Sequence, residues 1–453
     1  MEGFEAGKRQ QLPASPVELH SENGVPDLSN LGSSDRIDYW PPPSADDVTK
    51  QLNQEAFTIS AGGDSGVVNY DAAQLPSNSP CEDAYLHGKL TSPVSGEGKK
   101  DWMAWAVFDG HCGWQLSKLL TKQLLPFVQQ SLRDLKPADD GAVSEAAVQQ
   151  AIVSAFEKLD DALVKSASAI IESDLPFAEK IRRLEPVYAG SCALLTLYDP
   201  STSSLHIAST GDCRAVLGRK TADGTWEAVP LTVDQTGANV DEVARIQKQF
   251  PDEPDVVDGG RIWGMQPART FGDGGWKWDK VLRATLRNEY NACKLPSGSR
   301  YKNYKTGPYL TASPVVTTVK IPRGEIPSFL ILATDGLWDT MSSEDAVDLV
   351  GRWSDMHNDP KQATPMTSPN PSAFGPVTFG RDACYYDKGR ATFQDHNAAV
   401  HLMRNGLGGA HEEMVKGALA FRSPMSRDIR DDITVQVVFF EGKEQNRADK
   451  SSD

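Results

Sequence analysis

The segment from Ser191 to Thr210 limits the choice of fold more than any other. Ser191–Tyr198 (SCALLTLY) and Leu205–Thr210 (LHIAST) are apolar runs of strand length on either side of a turn at Asp199-Pro200, which is the pattern of a β-hairpin. Further strands are predicted at Trp102–Phe108 (WMAWAVF), Val315–Ile321, Phe329–Thr334 and Thr434–Phe440. Helical patterns lie between them. One opens at Ser44, with Asp46 and Asp47 at the positive end of its dipole. A second runs from Gln115 to Leu125 and is expected to stop at Pro126. The clearest spans Ser144–Val164, where Val148, Ile152, Phe156, Leu159 and Leu163 recur at helical spacing, and another is capped by Ser343 and runs through Val350. Strands come paired, then helices, then strands again. That order predicts antiparallel sheets covered by helices, an α+β layered fold, and not a regular βα alternation.

The 453 residues are 39% apolar and 24% charged, enough for a substantial core. The formal net charge of -16 argues against a nucleic-acid binder, which needs a basic face. None of the six cysteines forms a C-x-x-C pair, so a reduced intracellular chain is expected in place of a disulfide scaffold or zinc site. No apolar run approaches the length needed to span a bilayer. Met1–Lys8 carries Glu2 and Glu5 with no apolar core, so it reads neither as a signal peptide nor as an organelle presequence. Residues 1–40 read as a flexible leader and 41–441 as one large domain, with an exposed insertion near 355–392 and a polar tail over 442–453.

The acids sit where strands end. Asp109 follows Phe108, Asp335 follows Thr334, Asp212 follows the hairpin, and Asp431-Asp432 immediately precede the last strand; Glu82-Asp83 form another pair upstream. Strands are rigid, so acids at their ends can be held to the tolerance of a metal site. Brought together they would repel, and cations would be required to stabilise them. An all-oxygen set selects hard ions such as Mg²⁺ or Mn²⁺. Two such ions ready a water for attack and stabilise both ends of an in-line displacement at phosphorus. Taken singly, Asp-Gly is a turn signal, an acid pair is solvated surface, and His111 is a structural histidine.

The combination is more specific. Pro80-Cys-Glu-Asp83, Val107-Phe-Asp-Gly-His111, Gly190-Ser-Cys-Ala193, Thr210-Gly-Asp-Cys-Arg214, Pro267-Ala-Arg-Thr-Phe-Gly-Asp273, Ala333-Thr-Asp-Gly-Leu-Trp-Asp339 and Arg430-Asp-Asp-Ile-Thr434 occur in one order. In these motifs the chain resembles the PPM (protein phosphatase 2C-type, PP2C) metal-dependent protein phosphatases. Leu75–Asp83, Phe271–Trp278, Pro308–Ala312 and Asn397–Leu402 make it most similar to the pyruvate dehydrogenase phosphatase catalytic-subunit branch and its fungal relatives.

The resemblance implies a four-layer β-sandwich of two antiparallel sheets flanked by helices, and hydrolysis of phosphoserine and phosphothreonine in a phosphoprotein. It implies two Mg²⁺ or Mn²⁺ ions, with a third, weaker site. By position, Asp109 would bridge both metals, Gly110 would offer its carbonyl, Asp335 and Asp431 would be direct ligands, and Glu82 and Asp83 would hold metal-bound waters. Asp432 sits at a supporting position, Asp212 and Asp339 at the third site, and His111 at the general acid. Asn78 stands where many members have a phosphate-gripping arginine, as in the dehydrogenase-phosphatase branch, which leaves Arg269 as another phosphate candidate beside its alternative as a structural ion pair. Cys192 and Cys213 read as small packing positions, and Trp276 and Trp278, in the Asp234–Lys305 stretch, as core. The branch further implies the pyruvate dehydrogenase complex, through its E1α subunit, as partner and the mitochondrial matrix as location, with a cytoplasmic location as the alternative. Competing readings are a catalytically dead adaptor, which would have lost Asp109, Asp335 or Asp431, a phosphatase acting on another phosphoprotein, and a nuclease, which the acidic charge disfavours.

Overall fold

A computed structural model describes residues 43–62, 65–93, 100–136, 143–290, 304–305, 307–321, 324, 326–358 and 386–442. The leader expected in residues 1–40, most of the insertion and residues 443–453 of the tail lie outside these.

The strand Trp102–Phe108 shows how the sequence sets the layering. All its residues are buried. Trp102, Ala104, Ala106 and Phe108 point into a cluster under helices, whereas Met103, Trp105 and Val107 point into a cluster between sheets. Side chains alternate across a strand, so a run without a polar residue needs cover on both faces.

Six strands form one antiparallel sheet in the order Phe57–Ser60, Val67–Leu75, Ile433–Phe440, Ser328–Ala333, Arg214–Lys220, Trp226–Pro230. Five form a second in the order Val315–Lys320, Ser204–Thr210, Ala193–Asp199, Trp102–Phe108, Ala84–Leu90. Leu217, Leu330, Leu332 and Val438 of the first meet Trp105, Leu194 and Ile207 of the second. Helices Ala45–Leu52, Ser343–Asn358, Ala398–Gly406 and Glu412–Ala420 cover the outer face of the first sheet. Gln115–Arg133 and Glu145–Glu172 cover the second. The result is the layered α+β sandwich that the sequence implies.

The hairpin forms in register from Ala193↔Thr210 to Asp199↔Ser204. The Asp199 carboxylate closes its turn by accepting from the Ser201 N–H and the Thr202 hydroxyl. Ser44 caps its helix as expected, and Ser144 also proves to be a cap, its side chain accepting the Ala147 N–H. Three helices differ from expectation, the first being the one expected to end at Val164, which continues to Glu172. The helix that opens at Gln115 runs through Pro126 to Arg133. Proline costs a helix interior about 3 kcal/mol, and burial of Val128 and Leu132, at about 1.5–3 kcal/mol each, offsets it. The helix expected to be capped by Ser343 is capped by Ser342, whose hydroxyl accepts the Asp345 N–H at 3.1 Å, and it continues to Asn358. At the far end of the predicted insertion, Tyr386 and Ala391 are buried in the core. Trp276 packs with Trp263, Tyr304 and Tyr309 in a separate cluster, and Trp278 is also buried.

Candidate active site

Strand register brings the acids to one end of both sheets. Ala333 lies between Val435 and Arg214, so Asp335, Asp431 and Asp212 leave the first sheet at the same edge. In the second sheet Ala84 pairs with Phe108, Val107 with Leu194, and Ala193 with Thr210. That aligns Asp83, Asp109 and Asp212. Carboxylate oxygens of Asp109, Asp212 and Asp335 all lie within 4.8 Å of one another.

Such a cluster resists ionisation. Burial, and then the charges of Asp335, Asp83 and Asp212, push the Asp109 carboxyl well above its ordinary range. Burial followed by Asp212 and Asp431 does the same to Asp335. Asp83 is raised by burial and by Asp432, against the opposing hydroxyls of Thr434 and Thr334, each donating to its Oδ2 at 2.8 Å. Burial also raises Asp212, which accepts from the Cys192 thiol at 3.1 Å. Asp431 is raised by burial while its ion pair with Arg427 opposes the shift. Divalent cations would relieve this repulsion, and an all-oxygen pocket suits hard ions. The carboxylates present therefore fit divalent metal ions.

Neighbouring groups hold the cluster in place. Asp432 is buried and accepts four hydrogen bonds: the N–H groups of Ser77 and Asn78, the Asn78 amide at 3.0 Å and the Glu82 N–H at 2.9 Å. Gly110 is obligatory for space, because a Cβ would strike the carbonyl of Glu82. Gln235 brackets the Asp212 turn, accepting the Gly211 N–H at 2.8 Å and donating to the Ser209 carbonyl at 3.1 Å.

His111 stands on a three-stranded sheet in which Gly190–Ser191 lies between Gly110–His111 and Phe271–Gly272. Gly190 pairs with His111 on one side and Gly272 on the other. This brings the buried Asp273 carboxylate to His111, Nε2 to Oδ2, at 2.8 Å. Burial works to lower the His111 pKa and Asp273 works to raise it; the carboxylate prevails and the imidazole titrates above its ordinary value.

Not every candidate joins the cluster. Asp339 is exposed, one helical turn from Asp335. The Asn78 amide is taken up by Asp432 and, at 3.4 Å, by Glu82. The Arg269 guanidinium is bound by both oxygens of the buried Glu242 and by the Ser313 carbonyl. Sequence reasoning assigned no role to Asp273, Thr334 or Thr434, although all three fall within the motifs. Gln235 and Arg427 carried no signal at all.

Two antiparallel sheets between helices, with acids gathered at one end of both, define a layered α+β domain with a candidate site for divalent cations. Residues 76–368 match the family model described as Protein phosphatase 2C, and the chain belongs to that family of metal-dependent enzymes. It is a protein serine/threonine phosphatase. A protein phosphatase 2C homologue of Schizosaccharomyces pombe is 38% identical, covering 89% of this chain and 87% of its own. Mitochondrial pyruvate dehydrogenase phosphatase 1 of Saccharomyces cerevisiae is 36% identical, covering 85% and 71%. The human protein of that name is 28% identical over 89% and 83%. A solved serine-threonine phosphatase 2C from Toxoplasma gondii aligns with a TM-score of 0.47 at 18% identity, over 85% of this chain and 99% of that one, a likeness too slight to bear on function.

Proposed function

We propose that this phosphatase uses two Mg²⁺ or Mn²⁺ ions held by Asp109, the Gly110 carbonyl, Asp335 and Asp431, with Glu82 and Asp83 acting through water and Asp212 and Asp339 serving a third, weaker site. The observation that carries this reading is the convergence of Asp109, Asp212 and Asp335 oxygens within 4.8 Å from three separate strand ends. When bound, such ions offset negative charge developing on the phosphoryl group and make water a competent nucleophile at neutral pH. The protein's own part is placement. Asp432 holds the 77–82 loop against the site, Thr334 and Thr434 orient Asp83, and His111 delivers a proton to the departing serine or threonine oxygen. Arg269 is occupied by Glu242 and is left out of phosphate binding.

The substrate we propose is phosphorylated pyruvate dehydrogenase, in mitochondria. Relatives that carry this activity and location in their names, matched over 71% and 83% of their own length, support it. The test measures release of phosphate from phospho-pyruvate dehydrogenase, from an unrelated phosphoserine protein and from DNA, each with and without Mn²⁺. Mn²⁺-dependent turnover fastest on the first is expected. Equal rates on both phosphoproteins would reject the substrate assignment, and absence of turnover on both would reject an active enzyme.

A further inference from the structure

We infer that Asp273 is a positioning residue for His111, and that the small sheet built around Gly190 exists to bring the two together. The inference rests on the reading of His111 as general acid.

Three observations carry it. The Asp273 side chain is fully buried, whereas that of His111 is 25% exposed, so the carboxylate anchors from the protein side a ring that keeps partial access to solvent. Asp273 adopts a left-handed backbone conformation at φ 47°, an uncommon state for a residue other than glycine. Its Oδ1 is buried without a hydrogen-bond partner among the described residues, while Oδ2 meets His111. A buried carboxylate oxygen left unsatisfied is costly. Structural need alone does not account for a strained, half-satisfied acid aimed at one imidazole.

The surroundings are shaped for this contact. A Cβ on Gly190 would strike both His111 Nε2 and Asp273 Oδ2, so only glycine leaves room for their hydrogen bond. From behind, Asp160 accepts the Gly272 N–H at 2.9 Å and pairs with Lys277 at 2.7 Å, and Lys277 also donates to the Thr270 carbonyl. The turn that bears Asp273 is thereby fixed from the long helix Glu145–Glu172. A hydrogen bond to one ring nitrogen fixes the orientation of an imidazole and which atom faces the substrate.

The test is Asp273→Asn in the full chain with Mn²⁺, assayed on a phosphoserine peptide and on p-nitrophenyl phosphate, alone and combined with His111→Ala. Asparagine tolerates the left-handed conformation, so folding is expected to survive. The expected result is a fall in kcat of roughly 10- to 100-fold on the peptide, part of the 10²–10⁴ that a positioned acid supplies. Loss on the aryl phosphate, whose leaving group needs no proton, is expected to stay within about 3-fold, KM to hold, and the Asn substitution to add nothing in the His111→Ala background. Equal loss on both substrates, or undiminished loss on top of His111→Ala, overturns the proposal. If His111→Ala itself fails to discriminate between the two substrates, the general-acid reading falls instead, which separates the two failures.

Discussion

The backbone N–H of Glu82 donates to Oδ2 of Asp432 at 2.9 Å, tying together positions 350 residues apart. The other carboxylate oxygen holds the N–H groups of Ser77 and Asn78. One side chain therefore suspends the loop that carries Glu82 and Asp83. Asp432→Ala removes four acceptor contacts and touches none of the clustered oxygens. Loss of a group that orients ligands typically costs 10–100-fold in metal affinity. The Mn²⁺ concentration for half-maximal activity is expected to rise by roughly 10- to 100-fold, with kcat at saturating metal changing less. Titration calorimetry with Mn²⁺ checks this, and an unchanged affinity would mean that the loop holds itself.

Asp335→Asn separates stability from catalysis. The carboxyl is raised far above its usual range by burial and by Asp212 and Asp431, so its charge opposes folding when no cation is bound. The amide removes that repulsion at nearly constant shape. Metal-free Asp335→Asn is expected to melt no lower than the parent, while turnover with Mn²⁺ falls by roughly 10³-fold, about 4 kcal/mol of lost charge stabilisation. A variant that stays active would dismiss Asp335 from the site; a variant that melts lower without metal would contradict the electrostatic account.

The acids were legible because each is tethered to a feature that one-dimensional reasoning finds: an apolar strand that stops and an aspartate that follows. Once strands pair, their ends coincide within each sheet, and the packing of the two sheets face to face then brings Asp109 to Asp212 and Asp335. The layers were legible for a similar reason, since an all-apolar strand such as Trp102–Phe108 demands cover on both faces. The His111–Asp273 contact was not, because it depends on three two-residue strands lying side by side, too short to show any periodicity. Pro126 misled because the local cost of proline is visible in sequence while the burial of Val128 and Leu132 beyond it is a tertiary fact. Arg269 left two readings open, and its choice of Glu242 is made by the helix Val240–Gln249, whose docking no spacing reveals.

That ion pair yields a prediction of its own. Arg269 and Glu242 are both nearly covered, with side chains 12% and 6% exposed, and Arg245 also meets the same glutamate. Removing Arg269 leaves Glu242 partly uncompensated. Breaking a buried pair costs about 3–5 kcal/mol, and Arg245 should hold the loss near the lower end. Arg269→Ala is therefore expected to lower stability by about 3 kcal/mol in urea unfolding while leaving KM for a phosphoserine peptide within about 2-fold. A KM raised by roughly 10-fold with stability intact, equivalent to about 1.4 kcal/mol of lost binding, would restore Arg269 to the substrate phosphate.

Acid sensitivity should come from two buried histidines that are not members of the acid cluster. His206 is buried, stacked on Trp102 with ring centroids 5.2 Å apart, its Nδ1 2.9 Å from the Thr318 hydroxyl; burial lowers its pKa to about 4. His401 is fully buried on the helix Ala398–Gly406, and burial lowers it to about 3. Between these values and the ordinary 6.5 the unfolded chain binds protons that the folded chain refuses, so stability rises with pH across that window and is lost as pH falls through it. For His206 the difference amounts to about 3 kcal/mol by pH 4, a large share of the roughly 5–15 kcal/mol that holds a typical domain together. The urea midpoint of the parent is expected to fall steeply from pH 6.5 to pH 4. His206→Gln, with no titrating ring, should show a shallower slope over the same interval, whatever its stability at pH 7, because every other group is common to both proteins. Parallel curves for parent and variant would mean that His206 takes up its proton without leaving the fold, and that burial against Trp102 is not what keeps it neutral.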